Sequence, residues 1–428
     1  MLKREHKLII ILLVIELAAL PVFFGLLPNM QPFGMPLDID YISEGQYQGN
    51  YLMSDNGGKV TIVNDHLEVL WQSDIPEVFV HEAELLPDGD VIVCDTAGER
   101  VYEIDIDDPS RIEWEWNPKK ISDVNWTAVG NSWGWKESAL DYVQSQEYRE
   151  VDWTHINDAE WVNGSRKGRD YDSILISMRN FDMIVEVNYS QTKEIIWHYG
   201  EPLQKSKLNH QHNVDIRDNG NLIICDSENH RIVEIDYETK EVVWEYAPEF
   251  PEGELRWARD CDDIGNGTYM ITDSNNGRVF FLDRDTKEIL VEYGKDFLVQ
   301  PYESDLVIID GQERILVGDS PATAITIINP ADGSFEHLGF SFIANYIRFT
   351  VGLIVVYYGF MFAIAYQEAE GEDITSKLKR LKVYKELINL AMIFTIFWFL
   401  GTFYRFLIEF GLFPVMDRIA WILVRAST

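Results

Sequence analysis

The stretch from Asn209 to Tyr246, NHQHNVDIRDNGNLIICDSENHRIVEIDYETKEVVWEY, decides the fold. It breaks into four short runs, Asn213–Ile216, Leu222–Cys225, Ile232–Ile235 and Val242–Tyr246. Alternating or continuous apolar runs of this length, bounded by Asn/Gly, Ser/Glu/Asn and Thr/Lys, read as strands joined by turns. The pattern recurs. Thr-Lys-Glu stands at 192–194, 239–241 and 286–288, and Asp-Ser at 226–227, 273–274 and 319–320, with Asp-Thr at 95–96. Third strands read VYEID from Val101, VEVN from Val185, VEID from Val233 and FFLD from Phe280. The fourth carry Trp71, Trp114 and Trp116, Trp197 and Trp244, with Val291 at that place in the next copy. Four strands per copy, repeating every 47 residues, mark a β-propeller rather than a helical solenoid.

Six copies are expected, over about 38–73, 79–116, 153–199, 209–246, 256–293 and 301–337. The fold class is therefore all-β, a six-bladed β-propeller of four-stranded blades over residues 38–337. The sixth copy has a poor fourth strand, so the N-terminal residues are expected to complete the ring there. The blade-ending tryptophans are expected to pack between blades. Residues 117–150 do not fit the repeat and form an insertion carrying Trp126, Trp133 and Trp135. Such an insertion reads either as a binding loop or as a loop packed on the blade tops.

The two ends are of different character. Leu8 to Leu27 is almost wholly apolar and follows Lys3, Arg4 and Lys7, which predicts an uncleaved anchor within residues 1–30. Residues 342–366 and 387–413 are two more stretches of membrane-spanning length. Between them, residues 367–386 hold Lys377, Lys379, Arg380, Lys382 and Lys385. Basic residues in both places put the N-terminus and this loop in the cytoplasm. A multi-pass protein of the cell membrane is expected, one N-terminal and two C-terminal transmembrane helices holding an extracytoplasmic propeller, with residues 414–428 at the interface. Asn-x-Ser/Thr triplets at Asn125, Asn163, Asn188 and Asn266 agree with that side.

The chain holds 71 acidic and 36 basic residues, for a formal net charge of -35. Nearly all the excess lies in residues 38–337, with 62 acids against 24 bases. So negative a surface disfavours nucleic acid and repels anions unless a local basic site gathers them. The three cysteines include Cys94 and Cys225 at matching places in different blades, so free, buried thiols are expected.

Aligning the copies exposes the start of each first strand, which in a propeller faces the axis. There the chain reads HEAE from His81, HINDAE from His155, HQHNVD from His210, WARDCD from Trp257 and YESD from Tyr302. An acid recurs at Glu84, Glu160, Asp215, Asp262 and Asp305, as repeat architecture would produce. Three places earlier the residue varies: His81, Asn157, His212, Arg259 and Tyr302. His155, His210 and Trp257 precede by two more. His81, His155, His210 and His212 thus point to one funnel with Arg259, while Arg179 and Arg231 sit in turns near the same mouth. Guanidinium groups with imidazoles suit an oxyanion such as sulfate or phosphate. The arginines argue against a metal among these imidazoles, and no metal or other cofactor is expected.

At these residues the sequence resembles the arylsulfotransferase family of six-bladed propellers, over roughly Asp152 to Tyr293. DWTHIND at 152–158, ILISMRN at 174–180, IIWHYG at 195–200, QHNVDI at 211–216 and the downstream CDSENHR carry the resemblance. It implies transfer of a sulfuryl group from an aryl sulfate ester to a phenolic or other hydroxyl acceptor, through a transiently sulfurylated histidine. It implies sulfate-binding roles for His155, His212 and Arg231, with Asn157, Asn213 and Arg179 beside them. The family's nucleophilic histidine belongs in the slot that here reads Arg256-Trp257-Ala258-Arg259-Asp260. His81, His210 or His212 would then take the covalent role. The alternative is a non-catalytic extracytoplasmic propeller that binds a ligand or a protein partner.

Overall fold

The computed structural model describes residues 34–76, 79–146, 152–248, 255–320 and 324–338. Six antiparallel four-stranded sheets follow one another, each built from strands consecutive in the chain. The blades run Pro36–Gln72, Val80–Trp116, Ile156–Gly200, Val214–Tyr246, Ala258–Tyr293 and Pro301–Leu338, and are numbered one to six. Among the described residues no helix is long and apolar enough to cross a membrane. The three expected spans, the basic loop 367–386 and the tail 414–428 lie outside the described residues.

Ring closure differs from the expectation. Blade six completes itself with Phe335–Leu338, and blade one has four strands of its own, so no strand is exchanged. Blades one and six instead close on an apolar seam of Ile39, Tyr51, Met53 and Leu67 with Leu316, Ile325 and Ile327. Burying these side chains supplies what a shared strand would otherwise have contributed.

Between other blades the recurring tryptophan does the joining. The indole Nε1 of Trp71, Trp114, Trp197 and Trp244 donates to a carbonyl of the next blade, at Ile106, Ser190, Tyr237 and Arg284, over 2.7–3.0 Å. Where Val291 replaces the tryptophan, Tyr293 reaches across and donates from its hydroxyl to Pro330, at 2.8 Å. The Thr-Lys-Glu repeat belongs to the same joint. Lys193, Lys240 and Lys287 occupy left-handed turn positions between third and fourth strands. Lys240 and Lys287 each place their ammonium over the preceding blade's tryptophan, at 5.4 and 5.6 Å from the ring centroid. The expectation that the tryptophans pack between blades is borne out.

The insertion folds into two helices, α1 (Trp126–Trp133, with Asn125 as its N-cap) and α2 (Glu137–Gln146). Trp126 and Trp135 are buried, stacked at 6.2 Å and set against Phe181 of blade three. Trp133 lies flat on His198 at 3.6 Å. These tryptophans are packing residues. Cys94, Cys225 and Cys261 are free and buried, as expected.

Trp197 is nearly buried and stacks on Tyr237 at 4.9 Å besides donating to its carbonyl. Trp197→Phe, which keeps most of the packing, is expected to destabilise the propeller by about 1 kcal/mol. Trp197→Ala should cost about 3–5 kcal/mol through the cavity it leaves. Denaturant unfolding of both variants against wild type checks the ratio.

Candidate functional site

Each blade begins with an inner strand, and in every blade but the fourth a one-residue bulge interrupts its pairing near the start. The register slips between Pro36 and Asp38, Val80 and Glu82, Ile156 and Asp158, Ala258 and Asp260, and Pro301 and Glu303. The residues left unpaired by these slips are Leu37, His81, Asn157, Arg259 and Tyr302. A bulge re-aims the side chain it carries. His212, just ahead of the fourth blade's strand, holds the same place. All six line one small cavity of about 30 Å³ on the axis.

The backbone at this level is held by the Asp-Ser/Thr repeat. Thr96 donates to the Ile156 carbonyl at 2.6 Å, and Ser227 to the Ala258 carbonyl at 2.6 Å, each just before a bulge residue of the next blade. Ser227 has a second task, because His212 Nδ1 lies 2.9 Å from the same hydroxyl oxygen. A hydroxyl has one proton, and here it is directed to Ala258. Oγ therefore accepts from Nδ1–H, which fixes the tautomer of His212 and leaves the lone pair on Nε2. Burial, then Arg259 and His81, hold the His212 imidazole well below its ordinary value of 6.5, so the ring is neutral. Burial and the nearby His155 and Arg259 do the same to His81.

The rings cluster. His81 stands 5.4 Å from His155 and 6.4 Å from His212, centroid to centroid. Phe79 flanks His81 at 5.0 Å and Trp257 flanks His212 at 6.1 Å, giving an aromatic rim. His155 Nδ1 faces the Asp152 carboxylate, and the ring sits on a left-handed residue, as do His210 and Trp257 at the matching places. Arg259 is 8% exposed and lies over the Tyr302 ring at 3.5 Å. Burial lowers its ordinarily very high pKa to about 10, leaving it charged at neutral pH. Among the described residues no carboxylate pairs with it, and its Nε has no hydrogen-bond partner. Trp257 Nε1 is a second buried donor without a partner. Buried donors without acceptors are costly, and an anion would satisfy both.

Two expected site residues are placed elsewhere. Arg231 opens the third strand of blade four and spends its donors on Asp226, Glu245 and the carbonyls of Ser206 and Lys207. Arg100 with Asp95, and Arg278 with Asp273 and Glu292, repeat that pairing. Asp followed five residues later by Arg is thus blade framework, a spacing visible in the sequence. His210 is held at the rim, its Nδ1 2.7 Å from Glu228, which also takes Arg179 at 3.2 Å. Asn157 lines the cavity and donates to the Gln211 carbonyl at 2.9 Å, leaving its own oxygen unpartnered. Asn213 lies one layer deeper. Sequence reasoning left out Leu37 and Ser227, and passed over Tyr302 and Trp257 as ligands.

Below the histidines the axis is acidic. The next layer is Asp38, Glu82, Asp158, Asn213, Asp260 and Glu303, and the one beneath is Asp40, Glu84, Glu160, Asp215, Asp262 and Asp305. The recurring acid read from the sequence is this lower ring. Most members of the upper layer cap the next blade's inner strand. Asp38 accepts from Ala83 N, Glu82 from Ala159 N, Asp158 from Val214 N, Asp260 from Ser304 N and Asn213 from Cys261 N. Burial pushes Asp158 to about 6, and burial reinforced by neighbouring carboxylates pushes Asp38 to about 6, Asp305 to about 7 and Glu84 to about 8. Asp40, Glu160 and Asp262 are raised well above the ordinary range by the same causes.

Against known proteins, residues 45–209 match the model of the arylsulfotransferase (ASST) family. Residues 45–209 of this six-bladed propeller are thus similar to that family, and the resemblance seen in the residues is borne out. The match begins earlier and ends sooner than the stretch expected, reaching from blade one to the threshold of blade four. No curated protein matches the chain. Similar solved structures include a streptogramin B lyase, at 13% identity over 72% of this chain and 84% of that one, with a TM-score of 0.46. Virginiamycin B lyase from Staphylococcus aureus follows at 11% identity, 70% and 87% coverage and 0.43. The WD40 propeller domain of Doa1 stands at 12%, 66% and 76% coverage, and 0.44. At these scores the likenesses carry no argument about this chain.

Two predictions follow from the geometry. Carboxyls whose folded pKa is raised favour folding fully below their ordinary value near 4, and that contribution is lost as pH rises through about 6 to 8. Asp262→Asn removes one such charge without removing a backbone cap. In chelator-treated buffer it should raise Tm at pH 8 by about 2–4 °C and change it little at pH 5, as scanning calorimetry reads directly. Arg231→Gln should lower Tm while leaving binding of an aryl sulfate unchanged in titration calorimetry. Loss of binding would return Arg231 to the site.

Proposed function

We propose that the funnel transfers a sulfuryl group from an aryl sulfate to a phenolic or other hydroxyl acceptor. The observation that carries this reading is Arg259, a nearly buried guanidinium without a carboxylate, beside a neutral His212 whose tautomer leaves Nε2 free. The small cavity suits the tetrahedral head and not an aromatic ring, so the aryl group stays at the rim of Phe79 and Trp257. His212 Nε2 attacks sulfur, the bond between sulfur and the aryl oxygen breaks, and the electron pair leaves on the phenolate. His155, oriented by Asp152, supplies the proton that the phenolate takes up. In the second half the acceptor hydroxyl gives its proton to His155 as its oxygen attacks sulfur, and the N–S bond returns its pair to Nε2. Arg259 and Trp257 Nε1 balance charge on the non-reacting oxygens. Arg259 thus stands where the family pattern has a histidine, and the covalent role passes to His212.

Incubating the purified chain with 4-nitrophenyl sulfate and phenol tests this. Release of 4-nitrophenol should fall at least about 100-fold in His212→Ala and about 100- to 1,000-fold in Arg259→Gln. Ser227→Ala should lower kcat by less than His212→Ala and move the acid limb of the pH profile, since the ring loses its fixed tautomer. No release by wild type, with binding of a protein or other ligand unaffected by His212→Ala, would favour the non-catalytic propeller.

The same reading places the propeller on the extracytoplasmic side of the cell membrane, anchored by residues 1–30, 342–366 and 387–413. The support is the charge pattern of the flanking segments. Protease added to intact spheroplasts should degrade the propeller and spare the loop 367–386. Protection of the propeller would reverse the topology.

A further inference from the structure

The lower part of the axis has a purpose that sulfuryl transfer does not use. Beneath the histidine layer lies a cavity of about 450 Å³ whose polar lining is, apart from Asn213, carboxylate. Backbone capping explains one oxygen of Asp38, Glu82, Asp158 and Asp260. In the lower ring Glu84 likewise takes the Trp161 N–H, at 3.0 Å, and capping leaves the second oxygen of Asp38 unexplained. Asp38 is 1% exposed, its Oδ2 takes the Ala83 N–H at 2.8 Å, and its Oδ1 has no donor. Asp305 Oδ2 is likewise without a donor. An unpartnered, nearly buried carboxylate oxygen on the wall of a roomy acidic cavity calls for a cation.

We propose that this cavity binds a hydrated divalent cation of the hard, oxygen-seeking class. The donor set is carboxylate with one amide, which suits such ions and not a soft thiophilic metal. Among the described residues, the place where three ligand atoms gather within 4.8 Å is Asp88, Asp90 and Glu103, outside this cavity. The channel oxygens are more widely spaced, so the ion keeps water ligands and is held partly through them. Carboxylates also face one another, Asp38 with Glu303, Glu82 with Asp158 and Asp40 with Asp305, a repulsion that a cation between them relieves. The ion also lowers the negative potential directly below the funnel, where an anionic substrate would otherwise be repelled. The proposal stands without the sulfotransferase reading, because its test needs no turnover.

The full chain, stripped with chelator, is titrated calorimetrically with MgCl2 and with CaCl2 at pH 7.5, with NaCl at matched ionic strength as control. One saturable site that raises Tm is the expected result. Asp262→Asn/Asp305→Asn should weaken it at least ten-fold, while Asp88→Asn leaves it unchanged. The double variant loses repulsion and should fold, which its Tm without metal verifies. Absence of saturable heat, heat matched by NaCl, or affinity lost in Asp88→Asn but kept in the double variant would each overturn the proposal.

Discussion

The inner edge of every blade presents backbone N–H groups that no neighbouring sheet pairs, and the whole axis is organised around satisfying them. An edge strand left open is costly and invites wrong pairing. Here most blades send an acidic side chain, or Asn213 in blade four, to cap an N–H of the next inner strand. Acids are thereby drawn to the centre of the ring, where water is scarce and like charges face one another. The raised pKa values and the wide acidic cavity are consequences of that one requirement.

The histidine layer is built on the same strands by a different device. In five blades a bulge at the start of the inner strand takes one residue out of register and turns it to the axis, and in the fourth His212 holds that place just ahead of the strand. The bulge is architecture, and the residue it carries is free to vary. Leu37, Asn157 and Tyr302 occupy three places, while His81, His212 and Arg259 occupy the others. Ser227 shows how closely architecture and chemistry are joined. One hydroxyl fastens the backbone beside the Arg259 bulge and fixes the proton on His212.

Between blades the tryptophan–carbonyl bond recurs, with stacking and a lysine above it where the turn allows. Tyr293 takes over when the tryptophan is lost, by lengthening reach from two residues further along the strand. The first and last blades close instead on the apolar seam of Ile39, Tyr51, Met53 and Leu67 with Leu316, Ile325 and Ile327. The insertion after blade two is also committed to packing, since its tryptophans cover Phe181 and His198.

The residues alone determined the blade count, the strand order within blades and the convergence of His81, His155, His212 and Arg259. These follow from local periodicity and from equivalence of position, both of which survive without coordinates. The D/E-x-D/E alternation at 38–40, 82–84, 158–160, 260–262 and 303–305 was equally present and announced two acidic layers rather than one. What folding alone decided is direction and partnership. Arg231 and Arg259 are the same residue type near the same mouth. One is consumed by Asp226 and Glu245, and the other is stacked on Tyr302 without a counter-charge. That difference depends on which neighbouring blade lies within reach of each side chain, which no single repeat records. Ring closure was hidden for the same reason, because blades one and six are distant in sequence and meet only when the circle is complete.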